Sequence, residues 1–560
     1  MEKLTYNLRI RNSFKSYLVI LIILTIIINF IGIFLPIVRN DDPILYAIIS
    51  KNMVLNSNWS SLIFKGQDWL DKPHLPFWLT LLSFKIFGVK SFAYILPGFI
   101  FHLIGAYYTY NLAFSLYRNK EIGLISTLIY LSSLHLFISS IDVRAEAYLL
   151  GSIIPSCYYW YKYAQISKTS IKYLLLGTTF TAIALMTKGP FILLVSYGGI
   201  IFKFVFNKEI SKLFSLKWIS AFILPFIFIL PEYISLYLQF DSHPEKLVHG
   251  KYGVSGIKWF LWDSQFGRFF NTGPITVNHV QPFHYFYYFH TFLWSFLPWS
   301  LIFIFICLRD LKYYEKIENK NHLLFLFGSF IPAFIVFSIT KFQLDHYINI
   351  LIPFSSILCA EWMYRYKKHN KNIPASILNI QIYFCYFLLI LVTILSVIIF
   401  NLFTNLLILS LVVLIIYIFL RQRKKYQIDK IIVYSVLVFN LIFIFMLEVN
   451  EIYIKYDLGY QVANQLNNMN KAQLLTYKVD SLTLEFYLNS KYKTIIDIKD
   501  IYKYNSYYLL ISENNLKLIQ GNKYYIVKVF QETTIDKVFN NILHLSDTSK
   551  FTHKYLLIKI

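Results

Sequence analysis

Acidic residues are scarce in this 560-residue chain: 30 Asp and Glu stand against 53 Lys and Arg, a net charge of +23. Cysteines are scarcer. Cys157, Cys307, Cys359 and Cys385 all fall inside apolar runs, so neither a disulfide framework nor a thiolate metal site is indicated. No repeat and no low-complexity segment stands out. No ligand spacing of the HExxH kind occurs among the histidines His74, His279, His284 and His346, which lie on three separate loops. Small-residue cleavage signals are also missing behind the first apolar run, near Tyr17–Pro36, which exceeds a signal-peptide core and is expected to remain as a transmembrane helix.

What the chain has in abundance is hydrophobic sequence, 57% of it, with a mean hydropathy of +0.52. Runs of around twenty apolar residues recur, enough to cross a hydrocarbon core ~30 Å thick as helices. About thirteen are expected, near 15–37, 91–116, 121–139, 146–163, 171–187, 190–206, 217–238, 284–308, 322–340, 346–364, 377–401, 404–420 and 431–449. Unalternating runs of this length exclude a barrel.

Loop charge sets the expected orientation. Lys3, Arg9, Arg11 and Lys15 precede the first run, and Lys203, Lys208, Lys212 and Lys217 separate the sixth from the seventh. Arg118 and Lys120, then Lys162, Lys168 and Lys172, mark two further basic loops. So do Arg309, Lys312, Lys316 and Lys320; Arg365, Lys367, Lys368 and Lys371; and Arg421, Arg423, Lys424 and Lys425. Every second loop is basic, which predicts a cytoplasmic N-terminus. Cytoplasmic loops facing anionic lipid account for the positive charge, with no call for nucleic acid.

The other loops, expected to be external, hold the unusual residues. The loop 38–90 carries Asp41, Asp42, Asp71 and Lys72, and the next carries Asp142, Arg144 and Glu146. Lys188 lies in a Thr-Lys-Gly-Pro turn, Arg268 in the long loop 239–284, and Lys341, Asp345 and Tyr347 in a turn before residue 350. Charge beside a membrane is costly unless paired or functional, and five loops bring it to one face. Residues 1–450 therefore read as a membrane domain with an external site. Residues 451–560 differ: QLLTYKV, KTIIDI, YYLLIS, YYIVKVF and KYLLIKI are short strand-like runs between helix-compatible stretches, predicting a small external α/β domain.

Several motifs occur in a telling order. DDPILYA holds Asp41, Asp42 and Tyr46; Asn58-Trp59 follows, then Asp71-Lys72-Pro73 before Phe77-Trp78-Leu79. VRAEAYLLG, LMTKGPFILL, FGRFF, HVQPFHYFYYF, FLPWSL and KFQLDHYINILIPF come after. In this order, over about residues 15–365, the chain resembles the polyprenyl-phosphate-dependent membrane glycosyltransferases of the GT-C type. It is most similar to the aminoarabinose–lipid A transferase group and the protein-mannosyltransferase-like superfamily. It departs from that pattern at Ile44, where an Arg is frequent, at Ser264-Gln265, where an acidic-His pair is usual, and at Asp71, where Glu is usual.

The resemblance implies an α-helical polytopic GT-C enzyme that moves a sugar from a polyprenyl (undecaprenyl) phosphate to an external lipid A, glycolipid, glycan or protein. Displacement at the anomeric carbon needs a base for the incoming hydroxyl and cations for the departing phosphate. Asp41 is the candidate base, with Asp42 more a cap of a helix starting at Pro43, and Glu146 a candidate for positioning acceptor or base. Asp142 competes for that role, and Arg144 is the expected partner of Glu146 or a further phosphate contact. Lys72, Arg268, Lys188 and Lys341 are the phosphate candidates; the bland alternative for each is snorkelling to headgroups. Tyr46, Asp71, Arg144 and Tyr347 are expected to shape the pocket, and the aromatics Tyr285–Phe289 to form an interfacial belt. Side-chain cations make a cofactor unnecessary, and a divalent metal is not indicated. The competing classes are a transporter or flippase of lipid-linked sugar, for which broken helices and repeats would speak, and a polysaccharide polymerase or ligase.

Overall fold

The computed structural model describes residues 2–37, 41–167, 169–276, 283–312, 320–368, 375–421, 427–469, 473–504, 507–519, 523–532 and 553–559. His279 and the basic-loop residues Lys168, Lys316, Lys371, Arg423, Lys424 and Lys425 lie outside them. Apolar runs become helices because a buried or lipid-facing backbone must satisfy its own hydrogen bonds.

Helix α1 (Glu2–Gly32) is the first. The loop after it folds into α2 (Asp42–Leu55), the hairpin β1 (Ile63–Phe64) and β2 (Gln67–Asp68), and α3 (Leu75–Phe87). Next come α4 (Ser91–Tyr117), α5 (Lys120–Leu131), α6 (Leu134–Ile141), α7 (Ala145–Gln165), α8 (Ile171–Lys188) and α9 (Leu193–Phe206). A second group comprises α10 (Leu216–Phe228), α11 (Leu230–Leu236), the short α12 (Gly256–Lys258), α13 (Ser264–Phe270), α14 (Tyr287–Ser295) and α15 (Ser300–Lys312). The membrane part closes with α16 (Lys320–Ile339), α17 (Ile352–Lys368), α18 (Ala375–Ile399), α19 (Leu402–Arg421) and α20 (Gln427–Tyr456).

Each of the runs expected to span holds helix, but several are interrupted. Among the described residues, seven helices are long and apolar enough to cross a membrane, and eight spans result if the α5–α6 pair, bent by 62°, counts as one. The remaining runs give α7, α8, α9, α14 with α15, and α17, which are shorter, more polar or broken. Ser132 and Ser133 cause the α5–α6 bend: their hydroxyls bond back to Leu128 O and Ile129 O at 2.6 and 2.7 Å, competing with the ladder. Pro298 separates α14 from α15, and the 346–364 run opens with a tight 3₁₀ turn at Asp345–Leu351 before α17.

Small and polar residues hold the bundle together, as expected where lipid removes the hydrophobic drive between helices. A Cβ on Gly151 of α7 would collide with the backbone of Phe101 on α4, so that crossing requires glycine. Asn440 of α20 donates to Thr25 of α1 at 3.1 Å, and Ser140 of α6 donates to Asn29 of α1 at 3.1 Å. α18 and α19 keep most of their apolar surface outward, towards lipid.

The last unit carries α21 (Leu458–Asn467), α22 (Leu482–Tyr487) and five strands: β3 (Leu474–Tyr477), β4 (Tyr492–Ile495), β5 (Tyr508–Ser512), β6 (Tyr525–Glu532) and β7 (His553–Lys559). The sheet order is β4-β3-β5-β7-β6, with β3 parallel to both neighbours and β7 antiparallel to both of its own. All five strand-like runs are strands, while α20 carries the preceding helix to Tyr456, past the expected boundary at 451. This unit docks on the first loop. Lys51 of α2 donates to the carbonyls of Glu485, Phe486 and Leu488 at 2.8–2.9 Å, and the Tyr487 hydroxyl bonds Ile37 and Ser91.

Candidate active site

α2 begins where it does because Asp41 is extended, φ −143°, and its carboxylate accepts from the Asp42 N–H at 2.7 Å; Pro43 then fixes the first turn. Capping therefore involves Asp41, not Asp42. The same Asp41 carboxylate is ion-paired with Arg144, which also reaches Asp142 at 3.2 Å and Asp42 at 3.9 Å. Three carboxylates thus share one guanidinium. Tyr94 donates to Val143 O at 2.7 Å and fixes the loop that presents Arg144. Tyr46, one turn along α2, donates to Asp42 at 3.3 Å; burial, with Asp42 alongside, raises its phenol well above the ordinary value and keeps it a donor.

A second cluster lies at the other end of the first loop. Asp71 pairs with Lys72 at 2.7 Å and with Arg268 of α13. Burial alone would push the Asp71 carboxyl up, yet Lys72 and Arg268 hold it down at about 2. Burial lowers the Lys72 ammonium from its ordinary value against the pull of Asp71, and Arg268 adds to the lowering. His74 anchors this corner. Its ring and backbone N–H each meet Glu232 of α11 at 3.0 Å, both side chains being fully buried.

The third cluster joins α7 to α8. Glu146 occupies the first turn of α7 and Lys188 the last residue of α8, so each charge opposes the helix-end dipole it sits on favourably. They form a buried ion pair. Gly189, at φ +96°, ends α8, and a Cβ there would stand 2.5 Å from Gln265. Arg144, the partner expected for Glu146, is instead committed to the aspartates. Lys188 also lies 3.6 Å from the centre of the Tyr347 ring. His346 reaches the other Glu146 oxygen at 3.7 Å.

Lys188, Arg268 and Tyr347 line a cavity of about 360 Å³ whose walls are mostly apolar, among them Phe191, Leu194, Phe269, Val336 and Phe337. The Arg268 Nε is buried and without a hydrogen-bond acceptor among the described residues. Lys341 does not join this lining. Its side chain is exposed, and its backbone N–H bonds Phe269 O at 3.2 Å. Of the expected aromatic belt, Tyr285, Phe286 and Phe289 are exposed, but Tyr288 is buried, donates to Leu344 O at 2.9 Å and borders the cavity. Among the described residues no three His, Cys, Asp or Glu side chains gather as metal ligands would.

Residues 71–234 match the model of the dolichyl-phosphate-mannose-protein mannosyltransferase family. The chain superposes on the crystal structure of ArnT from Cupriavidus metallidurans bound to undecaprenyl phosphate with a TM-score of 0.70, covering 97% of this chain and 98% of that one at 14% identity. The chain has the GT-C glycosyltransferase fold. This multi-pass membrane protein is also 28% identical, over 338 residues, to the undecaprenyl phosphate-alpha-4-amino-4-deoxy-L-arabinose arabinosyl transferase of Wigglesworthia glossinidia brevipalpis. That match covers 59% of this chain and 56% of the relative. A protein of Aquifex aeolicus without assigned function is 27% identical over 385 residues, covering 68% of this chain and 69% of that one. The chain thus spans just over half the length of the aminoarabinosyl relative.

Glu232, His135 and Asn349 escaped the sequence reading; the His135 ring meets Asn349 Oδ1 at 2.5 Å and lies 3.8 Å from Asp345. Glu232 and His135 sit within apolar runs, where an ionisable side chain is itself a signal; Asn349 carries no such mark.

Proposed function

We propose that this GT-C protein is a glycosyltransferase that moves a sugar from undecaprenyl phosphate to an acceptor on the external face of a bacterial inner membrane. One observation carries the reading: Lys188 and Arg268 stand on the wall of an aromatic-lined cavity, with Lys72 and Asp71 behind them. An anion with a long hydrocarbon tail matches such a surface, its phosphate at the cations and its isoprenoid chain along Phe191, Leu194 and Phe337. The donors named for the aminoarabinosyl relatives are of this class.

In this reading Lys72, Lys188 and Arg268 stabilise the phosphate as the anomeric C–O bond breaks, and Tyr347 keeps the Lys188 ammonium aimed at it. Asp41 takes the proton of the acceptor hydroxyl. It is the most exposed of the three aspartates on Arg144, 49% against 34% for Asp42 and 17% for Asp142, and so the one an acceptor can reach. Asp42 and Tyr46 hold the start of α2 against the cations. The sugar and the acceptor, whether lipid A, another glycolipid, a glycan or a protein, are left to the assay.

The test gives membranes a radiolabelled undecaprenyl-phosphate sugar and follows label into lipid, glycan and protein fractions. Transfer that disappears with Lys72→Ala is expected. Wild-type membranes that move labelled donor across the bilayer without transferring the sugar would make the protein a flippase instead.

A further inference from the structure

The charged groups that line the two halves of the site do not balance. Four cations, Lys72, Arg144, Lys188 and Arg268, are interleaved with five carboxylates, Asp41, Asp42, Asp71, Asp142 and Glu146. A phosphate entering this cluster adds negative charge to a site already short of positive charge, in a setting where water screens poorly. Lys188 is the sharpest case. Its ammonium is already committed to Glu146, and both side chains are almost wholly buried. Drawing Lys188 towards a phosphate leaves a buried carboxylate underpaired, which is costly unless another cation takes its place.

Among the described residues, the basic groups within 4.0 Å of the Glu146 carboxylate are Lys188 and one other, His346. His346 is itself buried, with its Nε2 3.7 Å from Glu146 and its Nδ1 3.1 Å from Asp345. The Asp345 carboxylate also accepts the His346 backbone N–H at 2.7 Å, which fixes the orientation of the ring. Asp345 is half-exposed, so a proton has a route from solvent to His346. On its far side stands His135, 3.8 Å away, whose Nδ1 is 2.5 Å from Asn349 Oδ1. The remaining groups facing His346 are Lys188 from α8, Arg144 from the start of α7, and Tyr347, whose ring lies edge-on at 5.2 Å. Tyr287 and Tyr288 of α14 face Asp345.

We infer that His346 is a charge-compensating positioning residue: when a polyprenyl phosphate engages Lys188, His346 takes up a proton by way of Asp345 and replaces Lys188 as the counter-ion of Glu146. The inference rests on the proposed donor site. No covalent bond is made or broken in this step. One proton passes from solvent to the imidazole, and it returns when the lipid phosphate leaves. Transfer itself turns a phosphodiester with one negative charge into a phosphomonoester with nearly two, so compensation matters most for the released lipid.

The experiment is calorimetry of undecaprenyl phosphate binding to the full-length protein in detergent, at one pH, in buffers of different ionisation enthalpy. The difference between buffers counts protons taken up. Wild type is expected to take up about one more proton than His346→Gln, and its affinity to fall roughly tenfold per pH unit on the alkaline side of the His346 titration, by linkage. In His346→Gln that slope flattens. Asp345→Asn keeps the ring but weakens its orientation and is expected to give an intermediate count. Equal proton uptake by wild type and His346→Gln, with both variants showing the wild-type melting temperature, overturns the inference. A wild-type protein that binds no undecaprenyl phosphate, or a Lys188→Met variant that binds it normally, instead overturns the donor site on which it rests.

Discussion

Arg144 and Asp71 are opposite solutions to the same problem. Around Arg144 one guanidinium serves three carboxylates; around Asp71 one carboxylate serves an ammonium and a guanidinium. Neither can be neutral, and the excess has opposite sign at the two ends of one loop. Surplus base at the Asp71 end favours an arriving anion. In the proposed mechanism the loop between Asp41 and Lys72 separates a proton-accepting end from an anion-holding end. α2 and the β1–β2 hairpin give it the stiffness to keep them apart.

The comparison can be broken at either end. Asp41→Asn is expected to lower sugar transfer by roughly 10²–10⁴-fold with donor binding retained, the range for a lost general base. Asp42→Asn should cost less, and equal losses in the two would erase the distinction drawn here. At the other end, Lys72→Ala or Arg268→Ala is expected to lower transfer by about 10²–10³-fold. Undecaprenyl phosphate binding should weaken with it, which separates this loss from that of Asp41→Asn.

A pH profile sharpens the same contrast. Because burial lowers Lys72 from its ordinary value, its charge is present at low pH and lost as pH rises through the lowered value, short of the usual lysine range near ~10.4. Donor affinity should therefore fade early on the alkaline side, and Lys72→Arg should move that limb upward. Asp71, held at about 2, stays ionised throughout and should contribute no acid limb above that value. The smallest expected effect is at Tyr347. Tyr347→Phe keeps the ring under Lys188 and should be nearly silent, while Tyr347→Leu should weaken donor binding by about 3–30-fold, the worth of a buried cation–π contact.

Much of this was legible without coordinates. Asp41, Asp71, Lys72, Arg144, Glu146, Lys188, Arg268 and Tyr347 stand out because charge or an ordered motif at the end of an apolar run is uncommon, and the structure gathers them into three clusters, around Arg144, Asp71 and Lys188. Pairing was not legible. Arg144 and Glu146 are two residues apart, which invites a local pair, but the N-terminal turn of α7 sends them to different neighbours. Lys341 illustrates a second limit: a basic residue in a turn looks alike whether its side chain enters a cavity or leaves it, and here it leaves. The strand-like runs of residues 474–559 carried their own signal in alternation and β-branching. The interruptions at Ser132-Ser133 and at Asp345–Leu351 did not, because hydroxyl back-bonding and a 3₁₀ turn leave the hydrophobic count almost unchanged.

The Lys51 ammonium ends on three carbonyls contributed by residues some 434 positions further along the chain. During synthesis, α2 emerges and its flanking helices enter the bilayer long before those acceptors exist. Until they arrive, Lys51 is a charge without its socket, and the loop bearing Asp41 and Lys72 lacks the brace that Glu485–Leu488 supplies. A chain interrupted before residue 480 would hold α1–α20 without the three carbonyls that receive Lys51.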